Sequence, residues 1–154
     1  MKLFQIEEPD GLPVDADAPG VAVGIDLSRQ QAEIAVAVGG NASVVADRDG
    51  FEQDLAIPAA DAPAEAWQAM FEGARLRAER SLARPVTHAV VVLVAPAEPA
   101  FAEKVKQAAA QAGIAVLDLL SPKALGAAPQ PPVLAAAILA EDLAPRPPTP
   151  AAGP

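Results

Sequence analysis

Hydrophobic positions come first in short blocks and then at a helical period. Val21-Ala22-Val23-Gly24-Ile25-Asp26-Leu27 and Ala32-Glu33-Ile34-Ala35-Val36-Ala37-Val38 read as two strands, joined by a few polar residues that suit a hairpin. Gly39-Gly40-Asn41 is a turn signal and leads to a third strand, Ala42–Ala46, which ends at Asp47-Arg48-Asp49-Gly50. The period then lengthens. Asp61 is placed to cap a helix whose first turn tolerates Pro63, and Trp67, Met70, Phe71, Ala74, Ala78 and Leu82 form its apolar face. Pro85 stops it, and the unbroken run Ala89-Val90-Val91-Val92-Leu93-Val94 predicts a central strand covered on both faces. Pro99 opens a second helix with Phe101, Val105, Ala108 and Ala112 inward and Gly113 as its left-handed end. Ile114–Leu120 is a fifth strand, and Leu134–Leu143 a third, weakly amphipathic helix.

The order β-β-β-α-β-α-β-α constrains the topology. Three meandering strands followed by right-handed crossovers predict a mixed five-stranded sheet in the order 3-2-1-4-5, with helices on both faces. That is the ribonuclease H-like arrangement. The domain is expected over residues 20–143. Residues 1–19 read as an extended acidic arm and residues 144–154 as a disordered tail rich in proline and alanine; eight of the 17 prolines lie between Pro129 and Pro154.

Composition narrows the chemistry. The 154 residues contain no cysteine and one histidine, His88. Disulfides, thiolate metal sites and cysteine nucleophiles are excluded, and a histidine-based triad or zinc site has little to build on. A net charge of -9 opposes contact with nucleic-acid phosphates and with anionic lipid. The longest apolar run, Ala89–Ala97, contains a proline and falls far short of the ~20 residues of a membrane span. The acidic opening lacks the basic-then-apolar order of a signal peptide, so the expected location is the cytoplasm.

Three stretches resemble the heat-shock chaperone ATPases of the DnaK type, and within them the HscA branch. Leu3-Phe4-Gln5-Ile6-Glu7-Glu8-Pro9 is similar to that branch's leader. Val23-Gly24-Ile25-Asp26-Leu27 is similar to the family's first strand before its phosphate loop. Val86-Thr87-His88-Ala89-Val90-Val91-Val92-Leu93-Val94-Ala95-Pro96 resembles the strand after its long helix, and Ala108–Leu120 continues the match. Gly126-Ala127-Ala128 with Val133–Leu139 resembles the helix that closes the ATPase domain. The resemblance covers about half of the chain and implies one subdomain of the family's actin-like ATPase domain.

The departures from the family shape the functional expectation. The family's Gly-Thr-Thr-Asn-type hairpin, whose glycine and hydroxyls hold phosphate, is replaced by Ser28-Arg29-Gln30-Gln31. Ser121 stands where the family has a glutamate before proline, and residues 51–66 contain no lysine to order an attacking water. ATP hydrolysis needs phosphate, metal and water held together. By resemblance, Asp26, Ser28 and Arg29 remain as a degenerate phosphate loop, with Asp26 acting on magnesium through water. The plain alternative is a strand-end aspartate bonding turn amides, beside a solvated arginine. Ser121 and Lys123 lack a catalytic context, and His88 reads as structural.

The expectation is therefore a non-catalytic chaperone relative, a pseudo-ATPase without a required cofactor that serves as a protein-binding or scaffold module. Its expected partner is a chaperone, a co-chaperone or an iron–sulfur assembly protein; its oligomeric state is open. Two alternatives stand beside it. One is a weak ATP- or ADP-binding module with magnesium. The other is a small resolvase-type nuclease on the same fold, for which Asp26 would need a second carboxylate such as Glu141 or Asp142.

Overall fold

Strand β1 (Val21–Asp26) pairs antiparallel with β2 (Glu33–Val38), which pairs antiparallel with β3 (Asn41–Val44). On its other side β1 runs parallel to β4 (Val86–Val92), and β4 runs parallel to β5 (Ala115–Leu120). The sheet is five-stranded and mixed, in the order β3-β2-β1-β4-β5. Helices α1 (Ala64–Leu82), α2 (Pro99–Gln111) and α3 (Pro132–Leu143) complete the α/β architecture, with a short 3-10 turn over Pro122–Leu125. The computed structural model describes residues 20–46, 55–125 and 130–145. The N-terminal arm, the turn at residues 47–50, the Gly126-Ala127-Ala128 stretch and the tail beyond residue 145 lie outside them. Among the described residues no helix is long and apolar enough to cross a membrane.

Alternation along the strands sorts the core into two unequal layers. Val23, Ile25, Ile34, Val91 and Leu93 face one side, where they meet Trp67, Met70 and Phe71 of α1 and Val105 and Ala108 of α2. Phe71 is fully buried there. The other side is built from small residues. Ala22, Ala35 and Ala37 meet Ala136, Ala137 and Ala140 of α3, with Val90 and Val92 from β4 and Val133 from α3 filling the wider gaps. Large side chains hold α1 and α2 at a distance; alanines let α3 come down onto the strands.

Gly24 marks where that approach is closest. A Cβ added there would lie 2.5 Å from the backbone nitrogen of Ala137 and 2.8 Å from the carbonyl carbon of Ala136. Both are main-chain atoms of a helix and cannot turn aside. The far end of α3 is tied down separately. Glu141 accepts hydrogen bonds from the backbone N–H of Gly39 (2.6 Å) and of Gly40 (2.9 Å). Those two glycines form the β2–β3 turn at φ +62° and +84°, values an L side chain adopts only with strain. Helix α3 therefore runs antiparallel to β1, with its first turn toward the carboxyl end of that strand.

Some expected boundaries move. Helix α1 begins at Ala64 with Pro63 as its N-cap, and no side chain caps it, so Asp61 does not take that role. Strand β3 starts at the turn residue Asn41 and β4 starts at Val86, three residues earlier than its β-branched run. Gly113, at φ +92°, follows α2 as expected. Ala144, read as the start of the tail, packs against the small-residue layer.

Among the described residues no strand pairs with the outer edge of β3 or of β5, and β5 is the more apolar. Its Leu119 N–H donates to the Asp118 carboxylate at 2.8 Å. Leu120 directs its carbonyl to Leu93 on the β4 side. Backbone groups of adjacent strand residues point to opposite sides, so the Leu119 N–H faces the free edge. Asp118 thus occupies a donor that an incoming strand would use, and adds a charge against such pairing.

Gly24→Ala should lose about 1–3 kcal/mol of stability, because relief of the clash requires moving α3 or β1; urea denaturation of the two proteins measures it. Asp118→Ala should leave the fold intact but add concentration-dependent association in sedimentation equilibrium, and Asp118→Asn, which keeps an acceptor, should associate less.

Candidate functional site

Asp26 and Ser28 lie at the carboxyl end of β1, beside the end of β4. In this region the Leu27 N–H donates to the Val92 carbonyl and the Leu93 N–H to the Leu120 carbonyl, both at 2.7 Å. The ends of three parallel strands are thereby held level. In open α/β sheets this end is where ligands commonly bind.

Asp26 is the last residue of β1 and is 0% exposed. It shares the face of Ala22 and Gly24, toward α3. Its Oδ1 accepts two hydrogen bonds from Ser28, from the backbone N–H at 2.9 Å and from the hydroxyl at 2.5 Å. The pattern closes the chain on itself two residues on, as aspartate does in turns. Its other oxygen, Oδ2, is buried with no hydrogen-bond partner among the described residues. A polar atom in that position costs stability unless something compensates it.

The turn that follows differs from a phosphate cradle. Ser28 turns its N–H and hydroxyl inward to Asp26. Arg29, Gln30 and Gln31 are exposed, and none of them adopts a positive φ. The turn is anchored instead by a bridge between Gln31 and Ala56 and by the Ala32 N–H to the Leu55 carbonyl at 2.9 Å. Arg29 lines an open hollow with Gln30, Gln31, Glu33 and Arg77. Of the three predicted residues, the structure brings Asp26 and Ser28 together and leaves Arg29 in solvent.

Other candidates disperse. Glu141 binds the β2–β3 turn, beyond the amino end of β1, so it does not converge with Asp26. Asp142 is exposed on the same last turn of α3. Ser121 is buried at the end of β5, while Lys123 is exposed. His88 pairs its Nδ1 with the Thr87 hydroxyl at 2.7 Å near the start of β4. Among the described residues no three His, Asp or Glu side chains converge to hold a metal ion.

A second feature of the same strand ends was not expected. On the α1–α2 side lies an apolar groove of about 520 Å³, lined by Leu27, Leu93, Trp67 and Phe101 and flanked by Ile57-Pro58 and Val94–Ala97. Trp67 and Phe101 meet edge to face, centroids 5.5 Å apart at 77°. Helical spacing marked both residues as apolar-face positions. Nothing in that spacing shows that the 55–62 segment stops short of covering them.

No protein-family model and no curated protein matches the chain. The functional reading therefore rests on the geometry of the strand ends and on the sequence itself.

Ser28→Ala removes one of the two donors on Asp26 and leaves a buried carboxylate still less satisfied. It should cost about 1–3 kcal/mol with the fold retained. A lowered denaturation midpoint with an unchanged circular dichroism spectrum is the expected result.

Proposed function

We propose that the chain is a non-catalytic relative of the heat-shock chaperone ATPases. It has the shape of one ribonuclease H-like subdomain of the actin-like ATPase domain and serves as a protein-binding or scaffold module in the cytoplasm. Its partner in this reading is a chaperone, a co-chaperone or an iron–sulfur assembly protein. The antiparallel β3-β2-β1 meander, extended by two parallel strands, supports the fold part of the reading.

The observation that carries the functional part is the closure of Ser28 on Asp26. A phosphate loop must point N–H and hydroxyl groups outward at the ligand. In this chain both Ser28 donors point inward, and the following residues have long side chains and ordinary backbone angles. Transition-state charge on a phosphoryl group would meet no organised donors at this turn.

One observation favours a second reading, weak binding of ADP or ATP with magnesium. Asp26 Oδ2 is a buried oxygen without a partner among the described residues. Asp26 is the residue that would orient the water shell of such an ion, whose chemistry would be to offset phosphate charge. The resolvase-type nuclease gains no comparable support, because its carboxylates would have to converge, and Glu141 is engaged at the far end of β1.

Calorimetry with magnesium and ADP, followed by a phosphate-release assay with ATP, separates these readings. The expected outcome is binding weaker than about 1 mM, no phosphate release above background, and the same result for Asp26→Asn. Tight ADP binding abolished by Asp26→Asn, or turnover by the parent protein, selects the nucleotide-binding module. Capture from native extract, with the recovered proteins identified by mass spectrometry, tests the partner. Recovery of a chaperone or iron–sulfur assembly protein is the expected result.

A further inference from the structure

We propose that the groove on the α1–α2 side of the strand ends docks an apolar segment of a partner protein that is flanked by Lys or Arg. The inference rests on the protein-binding reading above and assigns it a surface and a partner chemistry.

The groove is assembled from several elements. Leu27 and Leu93 extend β1 and β4 on the large-residue side and form its floor. Trp67 comes from the first turn of α1 and Phe101 from the first turn of α2. At about 520 Å³ the space is of the size that takes a few apolar side chains. Val94 stands on its lip at 75% exposure, a large aliphatic side chain facing water beside an apolar groove.

The loop wall is held in place before anything binds. The Ala62 N–H closes a turn on the Ala59 carbonyl at 2.9 Å. Lys104 donates from Nζ to the Ala60 carbonyl at 3.1 Å and also to the Ala62 carbonyl. A preorganised groove avoids much of the ordering cost of binding. In holding the loop, Lys104 directs its ammonium to carbonyls rather than to the rim acids.

The rim selects the occupant. Asp61 and Glu98 are both exposed and both border the groove, on a chain whose net charge is -9. Two carboxylates around an apolar floor complement leucine or phenylalanine side chains carried between basic residues, and repel an acidic segment. Trp67, 2% exposed, packs beneath the floor of the groove and not on its rim.

Trp67 is the one tryptophan in the chain, so its emission reports on the groove directly. The probe is a capped hexapeptide alternating lysine with leucine and phenylalanine; its control has glutamate in place of lysine. The lysine peptide should shift Trp67 emission saturably. Its affinity should fall about tenfold or more in the Asp61→Lys, Glu98→Lys double variant, and fall further in salt with the wild type than with that variant. The glutamate peptide should fail on the wild type and bind the double variant. Val94→Glu, at an exposed position that leaves the core untouched, should weaken the glutamate peptide's binding to the double variant.

The inference is overturned if the lysine peptide gives no saturable shift, if charge reversal leaves its affinity unchanged, or if both peptides bind the wild type equally. It is equally overturned if toluene shifts the emission saturably while neither peptide does, since the groove would then be a small-molecule cavity. A chaperone or assembly partner that binds wild type and double variant alike overturns the groove assignment and leaves the protein-binding reading standing. Recovery of no partner counts against that reading, while the peptide titration still decides the groove.

Discussion

Helix α3 lies main chain against main chain on β1 at Gly24, and the rest of the structure follows from that approach. A helix so close to a sheet leaves room for little more than a methyl group on either side. The facing positions are accordingly Ala22, Ala35 and Ala37 on the strands and Ala136, Ala137 and Ala140 on the helix. Dispersion compensates for the modest apolar area of each alanine, because atoms packed this tightly all lie near their optimal separation. The opposite face has no such constraint, and it accommodates Trp67, Met70 and Phe71.

The same approach governs the strand ends. With Glu141 bonded to the β2–β3 turn and Ala136 over Gly24, the first turn of α3 is directed toward the carboxyl end of β1. Asp26 stands on that face and is wholly buried. Burial changes what the aspartate can do. An exposed strand-end carboxylate is free to orient water or a cation; a buried one must find donors within the fold. Ser28 supplies two of them to one oxygen, and the second oxygen has none among the described residues. That oxygen is a polar atom that the local turn does not explain.

Much of the fold was legible because it is written in local periods. Strand alternation, the 3.6-residue spacing of Trp67, Met70, Phe71, Ala74 and Ala78, the Gly39-Gly40 turn and the Gly113 cap each need only a few neighbouring residues. The strand order followed from connection rules applied to that list. Features that bridge distant parts of the chain were not legible. In the sequence Glu141 stands only as a candidate second carboxylate beside Asp26, and nothing near it points to Gly39. The part Asp118 plays within the fifth strand becomes visible only once the edge position of β5 is known. Asp61 failed as a cap because Pro63 takes the N-cap position of α1 at φ -59° and ψ 154°, and the side chain two residues earlier is left outside the helix. For the site, Asp26-Leu27-Ser28 carries the sequence mark of a side chain bonding its own turn. The burial of Asp26 depends on α3, more than 100 residues away.

The carboxyl end of β1 and β4 therefore presents two surfaces of opposite character, separated by one layer of backbone. Toward α3 a polar residue is enclosed and largely satisfied by its own turn. Toward α1 and α2 an apolar floor is open, and its acids lie only at the rim. Alternation makes this division unavoidable: Asp26 and Leu27 are neighbours in sequence and must face opposite sides of the sheet. A chemical site built on Asp26 would have to reach it through the turn that Ser28 closes. A binding site built on Leu27 needs no rearrangement, because the groove above it is open and its loop wall is already held by Lys104. The proposed recognition would use the fold as it stands, whereas phosphate chemistry would require the turn to be rebuilt.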